Sequence, residues 1–70
     1  MGEASVYRFI EIVGTSTESW EDAAKTAVDL AGVTLEDLRV AEIVELDMRV
    51  QDNKVTAYRA KVKLSYKYRL

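Results

Sequence analysis

The residues best suited to chemistry are the cations near the end of the chain, because their spacing places them together. From position 58 to 69 the even positions are apolar or aromatic, while most odd positions are cationic, namely Arg59, Lys61, Lys63, Lys67 and Arg69. Successive side chains of a β-strand point to opposite faces, so this alternation predicts one core face and one cationic stripe. Cationic donors bind carboxylate and phosphate groups strongly. The stripe therefore favours a buried subunit contact or a ligand, and a ligand with anionic groups would be attracted by Arg59, Lys61 and Lys63.

The sequence contains few of the side chains that catalysis commonly uses. The sequence contains no histidine and no cysteine, so it lacks the usual acid–base side chain and the usual thiol nucleophile. Ser16 and Ser19 have no partner base at a recognisable spacing, and paired carboxylates need a cleft that one small domain does not build. We therefore expect a binding protein and not an enzyme.

Nucleic acid and membrane are not the expected partners. The net charge is -2, and no solvent-facing aromatic residues are predicted to interleave with the cationic stripe, as a single-strand binder requires. The sequence has no run of 18 or more apolar residues, and its N-terminus lacks the regions of a signal peptide. The missing cysteines fit a cytoplasmic location.

The length of the chain predicts self-association. Seventy residues form one domain, residues 1–70. A domain of roughly 60 residues buries only about 60% of the surface that its unfolded chain exposes, and is marginally stable. Without cysteine or histidine, a disulfide framework or zinc site is absent, so oligomerisation is the stabilising device that is left.

The first half of the chain predicts one strand and one helix. Residues 5–13 are rich in aromatic and β-branched types, and this strand is expected to end at Gly14. Capping hydroxyls and acids then predict a helix over residues 18–31. Its apolar stripe begins at Trp20, which we assign to a core or interface role, and consists mostly of alanine. Gly32 is expected to end the helix in the left-handed conformation.

The second half predicts a hairpin that turns at Asp52 and Asn53, two residue types that tolerate positive φ angles. The residue numbers of two facing positions then sum to 105. This register pairs Glu42 with Lys63, Val44 with Lys61 and Leu46 with Arg59. Ala41 and Ile43 are expected to lie under the helix. Since residues 38–50 are apolar on both faces, the pattern favours a ligand or another subunit over the second face, in preference to an uncovered face.

The chain resembles the dodecin family in its order of elements and in three segments at the family's spacing, YRFIEIVGTS, AEIVE and YRAKVKLSYKYRL. The resemblance covers essentially the whole chain. It implies an α+β fold in the order β-α-β-β, with a three-stranded antiparallel sheet of order 2-3-1 wrapped around one long helix. It also implies a hollow homododecamer that binds flavins such as riboflavin or FMN, or coenzyme A, at subunit junctions.

The resemblance also implies the cofactor-binding positions, which fall on Val40, Glu42, Arg59 and Lys61. Val40 stands where flavin-binding dodecins have a stacking tryptophan, and Arg59 stands where they have a glutamine. Losing a stacking ring from both sides of a flavin costs about 2–6 kcal/mol by analogy with base stacking. Arg59 and its neighbours retain the means to attract a phosphate.

A second interpretation within the family is a calcium dodecin, a subgroup that the segments TSTESWEDAA and LRVAEIVELDM resemble. Ca²⁺ takes six to eight oxygen ligands, and Glu45 and Asp47 stand two apart on one strand face. Acids at positions 18, 21 and 22 form a second cluster beside hydroxyls at 15–17. Symmetry axes would multiply either set. A structural shell that binds no ligand is the third interpretation.

Overall fold

The computed structural model describes residues 4–68, which form a three-stranded sheet packed on one helix. The elements are β1 (Tyr7–Ser16), α1 (Trp20–Thr34), β2 (Leu38–Gln51) and β3 (Lys54–Lys67). Both strand pairs are antiparallel and the order is β1-β3-β2, which is the predicted order 2-3-1 viewed from the other edge. The predicted α+β fold is therefore confirmed, while Arg69 of the cationic stripe lies outside the described residues.

Helix α1 begins two residues later than predicted because Ser19 serves as the N-cap. The Ser19 hydroxyl accepts a hydrogen bond from the backbone N–H of Asp22 at 3.0 Å, and Glu21 and Asp22 lie in the first turn. These acids favour the positive end of the helix dipole. The local sequence thus starts the helix at Trp20.

The helix also ends later than predicted, since Gly32 is helical and the last helical residue is Thr34. Gly32 does not have a positive φ angle, so the predicted left-handed ending is wrong. The N–H of Leu35 instead bonds to the carbonyl of Ala31 at 2.9 Å, and Leu35 is itself extended.

Gly14 allows the helix to approach β1 closely. Strand β1 runs through Gly14 to Ser16, so the predicted strand end at this glycine is wrong. A Cβ atom on Gly14 would clash with the carbonyl oxygen of Ala23 and lie 3.0 Å from the Cβ of Ala27. The absence of a side chain here is what permits the contact. The buried core beside it consists of small and medium side chains, Ala23, Ala27, Ala60, Val62 and Leu64.

The turn between β2 and β3 is the predicted one. Asp52 and Asn53 both have positive φ angles, 52° and 64°, and Val50 pairs with Val55 as expected. The long pairing beyond the turn is irregular, with register shifts in three places. One of them leaves Val44 without a partner between two paired neighbours, which is a β-bulge.

The register shift between Arg49 and Val50, which leaves Thr56 of β3 without a pairing partner on β2, makes the predicted register wrong from Arg49 to Glu45, and the bulge at Val44 restores the predicted register beyond it. Leu46 pairs with Ala60 and not with Arg59, while Asp47 is the residue opposite Arg59. Lys61 likewise faces Glu45 and not Val44. A shift of one residue exchanges the two faces of a strand. Leu46 therefore turns toward the helix, where it lines a hollow with Trp20, Glu21, Ala24 and Ile43.

Strand β2 is much less covered than the sequence suggested. Ala41 and Ile43 are exposed, Ile43 by 48%, so the expectation that α1 covers them is wrong. The helix packs mainly on β1 and β3, and its 15 residues span about 22 Å against about 46 Å for the 14 residues of β2. Within residues 4–68, no helix has the length and apolar character needed to cross a membrane.

The tight contact at Gly14 gives a test with an internal control. Gly14→Ala should lower the free energy of unfolding by at least about 1–3 kcal/mol, because the new methyl group meets backbone that has no room to move. Gly32→Ala should raise it by about 0.5–1 kcal/mol, since its nearest neighbour would be Leu38 Cδ1 at 3.9 Å and alanine favours the helix. Denaturant unfolding at one protein concentration measures both. Equal effects of the two substitutions would contradict this packing.

Candidate functional site

The face of the sheet that points away from α1, here called the outer face, carries ordered rows of charge. Strand β3 runs along its middle and supplies the cations of the predicted stripe. Strand β2 places an acid opposite each of three of them, pairing Glu42 with Lys63, Glu45 with Lys61 and Asp47 with Arg59. Glu45 and Asp47 are on this face because Thr56 of β3 is skipped in the pairing near the turn, and the bulge at Val44 then brings Glu42 opposite Lys63.

Asp47 and Arg59 form a bidentate ion pair on the outer face. Arg59 Nε donates to Asp47 Oδ1 at 2.7 Å, and Arg59 Nη2 donates to Oδ2 at 3.1 Å. The hydrogen bond from Arg59 lowers the pKa of the Asp47 carboxyl, desolvation opposes this shift, and the charges of Arg59 and Lys61 add to it. Both side chains keep more than two fifths of their surface exposed, so ions in solution can reach them.

Glu45 and Lys61 form a second pair beside the first, with 3.4 Å between Lys61 Nζ and Glu45 Oε1. The Glu45 side chain is 60% exposed, more than any other member of the two pairs. Two carboxylates on β2 thus lie next to two cations on β3. This arrangement can take up a metal cation on one side and an anion on the other, provided that the internal pairs open.

The four predicted cofactor positions are not brought together by one chain. Arg59 and Lys61 are neighbours on the outer face, but Val40 pairs with Ser65, six residues along β3 from Arg59. That distance is about 20 Å along a strand. A ligand that touches both Val40 and Arg59 therefore requires a second subunit.

The acids near the start of α1 belong to the helix cap. Ser16 Oγ donates to Asp22 Oδ2 at 2.7 Å and accepts from the N–H of Glu18 at 2.9 Å. Thr17 Oγ1 donates to Glu18 Oε2 at 3.4 Å. Within residues 4–68, no group of three or more His, Cys, Asp or Glu residues is arranged to hold a metal ion. A site built on Glu45 and Asp47 would need further oxygen ligands, from water or from another chain.

Comparison with known proteins identifies the family. A family model described as dodecin matches residues 6–69. The chain belongs to the dodecin family. It is 46% identical over 65 residues to the calcium dodecin of Mycobacterium tuberculosis, covering 93% of this chain and 92% of that protein.

Solved dodecin structures agree with this assignment. The dodecin of Streptomyces coelicolor matches with a TM-score of 0.88 at 29% identity, covering 94% of both chains. The crystal structure of the M. tuberculosis calcium dodecin, described as a calcium-chelating antigen with a novel calcium-binding site, matches with a TM-score of 0.82. Its identity to this dodecin is 47%, and the match covers 93% of both chains.

The sequence interpretation missed one contact on the helix side of the sheet, that of Trp20 with Asp47 and Tyr58. Its indole Nε1 donates to the backbone carbonyl of Asp47 at 3.0 Å, and its ring meets Tyr58 edge to face with centroids 5.2 Å apart. The apolar stripe of α1 correctly placed Trp20 against the sheet. Its partner could not be inferred, because the bond depends on the register of β2.

The sequence interpretation also missed aromatic residues beside the cations. Tyr7 and Phe9 of β1 are exposed, and Lys63 Nζ lies 4.6 Å from the centre of the Phe9 ring. The expectation that no solvent-facing aromatic residue accompanies the stripe is therefore wrong. The period-2 alternation of residues 7–13 was the signal that could have revealed this row.

The Asp47 carboxyl should titrate below its ordinary pKa for as long as Arg59 holds it. Because the folded pKa is lowered, the stabilisation is present above the unfolded pKa of about 3.9 and is lost as the pH falls through the folded value. Arg59→Gln should raise the Asp47 pKa toward its ordinary value, as measured by NMR titration of the carboxyl carbon. Lys54→Gln, which removes a distant cation at the hairpin turn, should leave it in place. An unchanged Asp47 pKa in Arg59→Gln would contradict the pairing.

Proposed function

We propose that this dodecin is a non-enzymatic, cytoplasmic, homododecameric protein that binds and stores Ca²⁺ at junctions between subunits. The observation that carries the proposal is the adjacent placement of the Glu45 and Asp47 carboxylates on an exposed sheet face. The 46% identity to a calcium dodecin supports Ca²⁺ as the ion.

The exposed surface of the hairpin supports assembly. Apolar side chains along β2 and the start of β3 are each between 45% and 58% exposed, namely Val40, Ile43, Val44, Leu46, Met48, Val50 and Val55. So much exposed apolar surface would lower the solubility of an isolated domain of this size. The resemblance to dodecins indicates other copies of the same chain as the partners that cover this surface.

Assembly also supplies what one chain lacks as a calcium site. Ca²⁺ takes six to eight oxygen ligands, and the two carboxylates of one chain provide at most four. Copies that meet on a symmetry axis bring the same two carboxylates again. Binding requires Arg59 and Lys61 to release them, which is a small obstacle because exposed ion pairs stabilise proteins little.

Calorimetric titration with Ca²⁺ tests the proposal. The wild-type protein should release or absorb heat saturably, and Asp47→Asn and Glu45→Gln should each weaken the affinity by about tenfold or more, since ligand charge sets the strength of a calcium site. Glu11→Gln is the matched control, because Glu11 lies on the same face beside Lys63 on the opposite strand. Absence of wild-type heat, or equal affinity in all three variants, would contradict the calcium site.

A second candidate function is binding of a flavin or of coenzyme A, and the outer face contains one feature in its favour. Lys61 and Lys63 provide positive charge for phosphate groups, and the exposed Phe9 ring beside Lys63 provides an aromatic surface. Val40 opposes tight flavin binding, since it is 57% exposed but offers no ring for stacking.

Val40→Trp tests whether the flavin site is lost through this one residue. The wild-type protein at micromolar concentration should leave FMN fluorescence unquenched, while Val40→Trp should quench it with an affinity gain of at least about tenfold, given 1–3 kcal/mol for each stacked ring. Val40→Leu controls for added volume. Strong quenching by the wild-type protein would make flavin binding the better account.

A further inference from the structure

Trp20 joins the helix to β2 at the position of a proposed calcium ligand. Its Nε1–H bonds to the Asp47 carbonyl at 3.0 Å, while every residue of β2 from Arg39 to Gln51 is exposed. The helix otherwise packs mainly on β1 and β3. The indole is therefore a local attachment for a strand that the helix hardly covers.

The surroundings of the indole explain why this attachment affects local geometry. A hollow of about 460 Å³ lies between α1 and β2, lined by Trp20, Glu21, Ala24, Ile43 and Leu46. Ile43 and Leu46 are each almost half exposed, so packing alone holds this part of β2 weakly. The Trp20 hydrogen bond and ring provide fixed contacts at one edge of that hollow.

The same indole also contacts the neighbour of Arg59. Its edge-to-face contact is with Tyr58, which directly precedes Arg59 on β3 and pairs with Met48 on β2. The backbones of both partners in the Asp47–Arg59 pair are thus restrained from the helix side, while their side chains meet on the outer face.

We propose that Trp20 is a positioning residue that fixes the backbone of Asp47 and thereby aims its carboxylate into the outer-face site. The consequence for Ca²⁺ affinity rests on the proposed function, whereas the consequence for the Asp47–Arg59 geometry does not. The charged groups around the carboxylate are Arg59 and Lys61 on β3 and Glu45 on β2, and Glu21 of α1 lines the hollow beneath.

Trp20→Phe in the full assembly separates the hydrogen bond from the ring. Phenylalanine keeps an edge contact with Tyr58 but has no N–H to donate. In calcium-free protein, NMR should show the Arg59 Nε–H exchanging faster with solvent, because its hydrogen bond to Asp47 Oδ1 loosens. Calorimetry should show Ca²⁺ binding weakened about fivefold, the effect of one lost hydrogen bond. Asp29→Asn, which breaks the exposed Lys25–Asp29 pair on α1, should change neither quantity.

The two readouts distinguish the two proposals. If wild-type protein binds no Ca²⁺ but Trp20→Phe still speeds exchange of the Arg59 Nε–H, the calcium function fails and the positioning role stands. If Trp20→Phe assembles normally and changes neither this exchange rate nor the affinity, the positioning role is overturned.

A measurement on the unmodified protein tests the proposal even if Trp20→Phe fails to fold. Trp20 is the only tryptophan in the chain, so its indole N–H gives one NMR signal and its emission one spectrum. That N–H should exchange slowly with solvent, because it donates to the Asp47 carbonyl. Exchange at the rate of an unprotected indole would overturn the proposal.

Discussion

Two compensating irregularities in the pairing of β2 with β3, at Thr56 and at Val44, are the constraint on which the rest of the outer face depends. With an unbroken ladder, Val44 and Leu46 would stand beside Lys61 and Arg59, and the face would be half apolar. Thr56, left unpaired on β3, shifts the register so that Glu45 and Asp47 replace them, each within ion-pair distance of its cation. The same shift turns Leu46 to the helix side, where it lines the hollow beside Trp20. The bulge at Val44 then restores the register, so that Glu42 pairs with Lys63. Local irregularities of the backbone thus decide which side chains stand beside the cations.

The sequence predicts those parts of the fold that depend on local chemistry. Asp52 and Asn53 specify the turn, parity separates the buried Val62 and Leu64 from the cations, and the family resemblance gives the strand order correctly. These irregularities could not be predicted, because no residue type requires one at Thr56 or Val44 and the pattern of β2 is apolar on both faces. Both errors in the pairing of β2 with the cations follow from the unpaired Thr56.

The end of α1 and the exposure of β2 likewise depend on tertiary contacts. Gly32 is a residue type that often ends a helix, yet it lies within α1. The glycine that the tertiary structure requires is Gly14, where the backbone of α1 meets the sheet. That close approach draws the helix onto β1 and β3 and leaves β2 uncovered. The apolar surface of β2 is then available to other subunits, and the charged pairs beside it lie where subunits would share ligands.

Native mass spectrometry of protein equilibrated with Ca²⁺ tests the central claim most directly, because one spectrum reports both assembly and bound ions. We expect an assembly of twelve copies of the 7.9 kDa chain that carries Ca²⁺ in whole numbers set by its symmetry. The ions should be removed by a chelator and absent when both Glu45 and Asp47 are replaced by their amides. A monomer, or an intact assembly without Ca²⁺, would contradict it.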